Sequence, residues 1–257
     1  MFGTRVLGKL DSKKYREEYG CFIVEGKRSV QDALTGGVEI IQLIATTAFV
    51  RSQAEFCAQE EAAVFFKHDK VQMVDEGFFS RLSDTATPQG IAAVVKLPDT
   101  TLETLKVGRR IAVLEDVRDP GNLGTMIRTA DWFGLDGLLL IGGADPYHAK
   151  VVRSSMGSIF HIPIVSTKSL DELKSLKQSG FKVVVTRPEL SMTAPLQTLP
   201  NTPKLCVVFG NEAHGTSPKM DRLADSFFSI PQFGKAESLN VSVSFGIVLY
   251  TLKNIGT

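Results

Sequence analysis

Disulfide bonds have little material to work with in this sequence. Its 257 residues hold three cysteines, Cys21, Cys57 and Cys206, odd in number and far apart. That spacing excludes a stapled frame and a cysteine zinc cluster, so no metal site is expected. It suits a reducing compartment, with the three thiols as small buried hydrophobes. Long apolar runs are missing too. Stretches such as 138–141 and 205–209 fall far short of the ~20 residues that span a bilayer, so no membrane segment is expected. The first residues, Met1-Phe2-Gly3-Thr4-Arg5, lack the apolar core of a secretory leader, and the cytoplasm is the expected location. Charge of one sign is not in excess either. Lys and Arg number 29 against 28 Asp and Glu, a net +1, which excludes a strongly polybasic chain. No repeat or low-complexity tract appears.

What is present is ordinary globular material, 43% hydrophobic, arranged as alternating strands and helices. In the first third, strands are expected at 22–24, 40–45, 64–66 and 91–95. Helices are expected at 27–34, stopped by Gly36-Gly37, at 53–62 with Ser52 as N-cap, and at 71–82. Residues 1–96 read as a small α/β domain. Residues 97–108 lack a period and hold a proline and a glycine, so they read as a linker. From 109 to 257 the pattern changes. Buried apolar strands at 111–115, 137–141, 162–165, 182–186 and 205–209 are separated by helices at 123–133, 170–179 and 217–224, which implies a parallel sheet covered on both faces. A short strand at 227–230 and a Val-rich helix at 241–254 complete it.

Charge is patterned locally. Residues 1–30 hold seven basic groups, Arg5, Lys9, Lys13, Lys14, Arg16, Lys27 and Arg28, against four acidic ones, with Tyr15 and Tyr19 interleaved. The first six are candidate contacts to a phosphate backbone. The plainer reading is a solvated amphipathic segment.

Three loops carry candidate chemistry. In Asp119-Pro120-Gly121-Asn122-Leu123-Gly124, Asn122 is placed to cap the next helix, whose Leu123, Met126, Ile127 and Ala130 recur at i, i+3, i+4 and i+7 and face the core. At ~100° per residue, Arg128 points away from that stripe. It is either a solvated arginine or a planar cation for a phosphate or oxyanion at the sheet's C-terminal edge. In Gly210-Asn211-Glu212-Ala213-His214-Gly215, a glycine ends a strand and admits close approach to the backbone. Glu212 is a base, an orienting acceptor or a first-turn charge, and His214 is more simply a loop hydrogen-bonder. In Pro231-Gln232-Phe233-Gly234-Lys235-Ala236-Glu237-Ser238-Leu239-Asn240, the last residues serve as an N-cap or as part of a ligand loop.

Taken in order, these loops resemble the three motifs of the SpoU (TrmH-like) branch of the SPOUT methyltransferases. Asn122-Leu123-Gly124-Thr125-Met126-Ile127-Arg128-Thr129-Ala130 is similar to the first, Val208-Phe209-Gly210-Asn211-Glu212-Ala213-His214-Gly215 to the second, and Ile230-Pro231 with Ser238-Leu239-Asn240-Val241-Ser242-Val243 to the third. The likeness spans about 109–256. The stretch Phe22-Ile23-Val24-Glu25-Gly26-Lys27 is similar to the substrate-binding extension of many members, a small ribosomal-protein-like RNA-binding fold. The resemblance implies a C-terminal parallel α/β domain with a deep trefoil knot, a homodimer, and S-adenosyl-L-methionine as cofactor. It implies methyl transfer to a ribose 2'-hydroxyl of rRNA or tRNA. Gly210, Ile230, Leu239, Ser238 and Asn240 correspond to cofactor-site positions, and Arg128, Asn122 and Glu212 to catalytic ones. Gln232 departs from the apolar residue usual after Pro231.

Rival readings differ in class. A dinucleotide-dependent oxidoreductase needs a G-x-G-x-x-G turn after its first strand, which is absent. An RNA-binding protein without turnover, or a methyltransferase acting on a base, stays open on sequence alone.

Overall fold

The computed structural model describes residues 1–187, 194–195 and 202–254. Contacts divide the chain into two units, Met1–Asp99 with Tyr147–Phe160, and Thr100–Pro146 with the described residues of His161–Thr257.

The first unit begins with two short helices, α1 (Thr4–Leu7) and α2 (Lys13–Tyr19). It continues through β1 (Cys21–Glu25), α3 (Lys27–Thr35), β2 (Ile40–Thr46), α4 (Thr47–Ser52), α5 (Ala54–Ala58), α6 (Glu60–Lys67), β3 (Val71–Val74), α7 (Glu76–Leu82) and β4 (Ile91–Lys96). The sheet order is β1-β4-β2-β3. Strand β4 runs antiparallel to both neighbours, and β3 lies parallel to β2. Five successive β4 residues, Ile91 to Val95, are buried, because helices cover both faces of the central strand.

Three local expectations are corrected here. Residues 64–66 are not a strand but the last part of α6; a short Val-Phe-Phe run has no period of its own, and Glu60 and Glu61 at the helix start favour the helical dipole. Residues 71–82 are not one helix. They split into β3 and α7 at Asp75, whose carboxylate caps α7 by accepting from the Phe78 N–H at 2.8 Å. Likewise Ser52 is not an N-cap: it ends α4, and its hydroxyl donates to the Phe49 carbonyl at 3.2 Å. Thr46 does that work for α4, accepting from the Phe49 N–H.

The second unit runs α8 (Leu102–Lys106), β5 (Arg110–Glu115), α9 (Pro120–Trp132), β6 (Gly137–Ile141), then β7 (Ile164–Thr167), α11 (Asp171–Gln178), β8 (Lys182–Arg187), β9 (Ala194–Pro195), β10 (Leu205–Phe209), α12 (Pro218–Asp221), β11 (Ser226–Ser229) and α13 (Val241–Asn254). Seven strands, all parallel, lie in the order β7-β6-β5-β10-β8-β11-β9. Strand β10 is inserted between β5 and β8, so the chain turns opposite ways on leaving β5 and β10. Their C-terminal ends therefore flank the kind of crevice where open parallel sheets take ligands. Leu105 of α8 is fully buried in this unit's core with Val113, Leu139 and Val185, so residues 97–108 are not a bare linker.

The intervening helix α10 (Ala149–Ser154) packs on β1 in the first unit. The Tyr147 ring meets Phe22 at 4.8 Å, and Val151 and Val152 are buried. An unbroken domain over 109–257 is thus not what the contacts give, because burial of this segment is decided by packing on a distant strand. Among the described residues no helix is long and apolar enough to cross a membrane.

Candidate active site

The site is assembled on the loops that follow β5, β10 and β11. After β5 the chain turns at Asp116, a non-glycine residue with φ 56°. Asp119 then caps α9, its Oδ1 accepting from the Asn122 N–H at 2.7 Å, with Pro120 in the first turn. The expected cap, Asn122, is inside the helix, and its side chain is released for another use.

That use is a bridge. The Asn122 amide nitrogen donates to Glu212 Oε1 at 3.1 Å, and its oxygen accepts from Asn240 Nδ2 at 3.0 Å. Asn240 is held in turn: its Oδ1 accepts from the Ser242 N–H at 2.8 Å and Oγ at 2.6 Å, which caps α13. Because Asn240 Oδ1 is occupied by donors, its nitrogen must face Asn122, and the Asn122 nitrogen must face the carboxylate. Asn240 thus caps α13 and also bonds across to α9. One continuous chain, Glu212 to Asn122 to Asn240, ties the three loops together.

The β10 loop is fixed by its own backbone. Asn211 and Gly215 exchange hydrogen bonds at 2.9 Å in both directions. Asn211 Oδ1 accepts from the Ala213 and His214 N–H groups, while its nitrogen donates to the Asp116 carbonyl at 2.9 Å. A Cβ on Gly210 would lie 2.2 Å from the Gly215 carbonyl carbon, so no other residue fits there. The largely buried Glu115 carboxylate accepts from the Ser217 N–H at 2.8 Å and hydroxyl at 2.6 Å.

The third loop is shaped by Gln232. Its amide nitrogen donates to the Gly234 and Ala236 carbonyls at 3.0 and 2.8 Å, so the unusual residue acts as a clasp. Ile230 is half-buried, Ser238 is exposed, and Leu239 keeps 50% of its surface. Arg128 stands exposed on α9, beside the buried Leu123, Met126, Ile127 and Ala130, and makes no hydrogen bond or ion pair with a described residue.

Arg118 is a residue that motif spacing missed. It pairs with Asp116 at 2.8 Å. The hydrogen bond and charge of Asp116 push it above the usual guanidinium value, and Glu212 adds to that pull. The dense charges of Glu115-Asp116-Val117-Arg118-Asp119, directly after a buried strand, were the available signal.

The basic candidates of the first unit divide. Arg5 and Lys13 are exposed, Lys13 near Glu17; Lys9 and Lys14 lie over the Tyr15 ring at 4.8 and 5.6 Å; Lys27 donates to Gln53 at 2.7 Å. Arg16 is corrected. It is 4% exposed, and its Nη1 donates to the Leu10 and Asp11 carbonyls at 2.7 and 2.5 Å, so it braces the fold rather than facing a phosphate.

Residues 109–250 match the SpoU rRNA Methylase family, and residues 5–93 match the MRM3-like substrate binding domain. The chain belongs to the SpoU rRNA methylase family. It is 36% identical to the Bacillus subtilis 23S rRNA (guanosine(2553)-2'-O)-methyltransferase RlmP, over 95% of this chain and 93% of that protein. A Streptomyces viridochromogenes 23S rRNA (uridine(2479)-2'-O)-methyltransferase is 28% identical, covering 94% and 85%. Among solved structures, the AdoMet-bound rRNA methyltransferase of Sinorhizobium meliloti superposes with a TM-score of 0.83 at 31% identity, covering 99% and 95%. Family membership and site agree: this is an S-adenosylmethionine-dependent RNA ribose 2'-O-methyltransferase. Its own residues fit the cofactor. Gly210 lets the β10 loop fold tightly against Gly215, Gln232 holds the third loop in shape, and half-exposed Leu239 offers an apolar contact.

Proposed function

We propose that this chain methylates a ribose 2'-hydroxyl of 23S rRNA in the cytoplasm, acting as a homodimer. The Glu212–Asn122–Asn240 chain carries the reading, since it brings three motif loops 90 and 118 residues apart into one hydrogen-bonded site. The 23S target follows the names of the relatives, which agree on 2'-O chemistry and differ in nucleotide, guanosine in one and uridine in another. The nucleotide is therefore not carried over.

Gly210, Ile230, Ser238, Leu239 and Asn240 would hold the cofactor, which when bound supplies an electrophilic sulfonium methyl that passes to the ribose oxygen as the carbon–sulfur bond breaks. The protein's task is alignment and charge. Arg128 serves as a cation that stabilises the forming alkoxide or pins a phosphate, because guanidinium does not give up its proton. Asn122 and Glu212 hold the loops in register, and the hydroxyl proton leaves to Glu212 Oε2, unbonded among the described residues, to a phosphate oxygen or to water. The first unit, with Arg5, Lys9, Lys13, Lys14 and Lys27, gathers RNA. A trefoil knot in the C-terminal loops belongs to the same proposal. So does the dimer, which Val243, Ile247 and Tyr250 support as an exposed apolar row on α13.

Incubation with tritiated S-adenosylmethionine and 23S rRNA from cells lacking the protein tests this. Label should appear on one ribose after nucleoside digestion. Label on a base, or binding with no label, would overturn it.

A further inference from the structure

The first unit holds a cavity of about 210 Å³ lined by residues of α2, β1, α7 and α10 and of the segments that follow α1 and α7. Methyl transfer has no use for it. Its size suits one planar base, well under the ~300–1,000 Å³ of pockets for larger ligands. Leu10, Ile23, Leu82 and Val152 give it an apolar wall. Glu25, also in the lining, is held rigid: Oε1 accepts from the Ser83 and Thr85 hydroxyls at 2.6 and 3.1 Å. Oε2 takes no hydrogen bond from a described residue. The lining charges balance, Arg16, Arg81 and Arg153 against Asp11, Glu25 and Asp84, and Arg153 is already paired with Asp84 at 3.2 Å. A free anion gains no net field there. A neutral ring with an apolar face and a donor-rich edge does fit. Arg81 is exposed, its guanidinium over the Phe78 ring at 5.9 Å and without an ion pair among the described residues, so it remains able to meet a phosphate outside.

We propose that this cavity takes one unpaired base of the RNA substrate, guanine by preference. Glu25 Oε2 accepts from the base, and Arg81 meets the adjoining phosphate. Unpaired bases splayed from RNA are read in this way, by an apolar face and hydrogen bonds to the Watson–Crick edge. Guanine offers that carboxylate two adjacent N–H donors on its edge, whereas uracil offers one beside two carbonyl acceptors. The inference rests on the RNA-methylating reading above and adds a recognition site apart from the methylated ribose.

The test titrates 5'-GMP, 5'-UMP and inorganic phosphate onto the full chain, followed by NMR of labelled methyl groups of Ile23, Leu82 and Val152. GMP should shift these saturably, UMP weakly and phosphate not at all. In parallel, Glu25→Gln and Ala149→Trp, the latter filling the cavity while keeping the Glu25 carboxylate, should each raise KM for 23S rRNA about 10-fold or more while moving kcat far less. Phosphate binding alone, UMP binding as tight as GMP, or two folded variants with wild-type KM would each overturn the inference. The wild type in the same assay keeps the two readings apart: if it methylates and the variants match it, only the cavity proposal falls.

Discussion

Asn122→Asp is the sharpest test of the bridged site, because it exchanges one donor for an acceptor at nearly constant shape. Toward Asn240 the new carboxylate still accepts at 3.0 Å. Toward Glu212 it faces another carboxylate across 3.1 Å. Two like charges ~4 Å apart repel by about 1 kcal/mol in water and about 4 kcal/mol at an effective dielectric of 20. Glu212 is exposed, so a value near 1–2 kcal/mol applies. The lost hydrogen bond adds about 1 kcal/mol. One term opposes these: Asp in the first turn of α9 gains about 0.3–1 kcal/mol from the helix end. The net cost, about 1–3 kcal/mol, falls on the contact between the β5 and β10 loops; the loops should part, and the melting temperature should drop by several degrees at most. Single-turnover methyl transfer at neutral pH should fall roughly 10- to 100-fold, at 1.4 kcal/mol per tenfold. Asn122→Ala, which leaves Glu212 merely unpaired, should lose less. Rates of Asn122→Asp equal to wild type, or higher than those of Asn122→Ala, would refute the bridge as the feature that holds the loops.

The other predictions touch separate parts. Arg128→Ala should retain cofactor affinity by calorimetry and lose at least ~100-fold in single-turnover rate; an unchanged rate removes Arg128 from the chemistry. Gly210→Ala should abolish cofactor binding in the same calorimetric assay, since its Cβ would sit 2.2 Å from the Gly215 backbone and the loop must move. Asp119→Ala should cost about 1 kcal/mol as a lost cap, a fall of roughly 2–4 °C in a melting scan. Burial pushes the Cys21 thiol up to about 11 and raises Cys206 further. Near neutral pH a thiol reagent should therefore label half-buried Cys57 in the native protein, and Cys21 and Cys206 only after unfolding, as peptide mapping would read.

How legible the site was depends on the range of the interaction. The α9 face was readable because helical period reports which side chains share a stripe, and Leu123, Met126, Ile127 and Ala130 are all buried. The cap was misassigned between Asp119 and Asn122, both of which favour helix starts; only geometry separated them. The Val-Phe-Phe run in α6 misled for the same reason, being too short to carry a period. Gln232 looked like a defect in a pattern, and its two hydrogen bonds across the loop make it a clasp.

By itself the sequence determined the alternation of buried strands and helices, the three loops, and the family whose motifs they match. These are local properties, set by periodicity and by glycine, proline and amide side chains at particular turns. Tertiary structure alone decided that β10 enters between β5 and β8, that Arg16 is buried on carbonyls, that α10 packs in the first unit, and that Asn122 touches both Glu212 and Asn240. Each of these joins residues far apart in the chain, and the free energy of such a contact depends on partners that no stretch of sequence names.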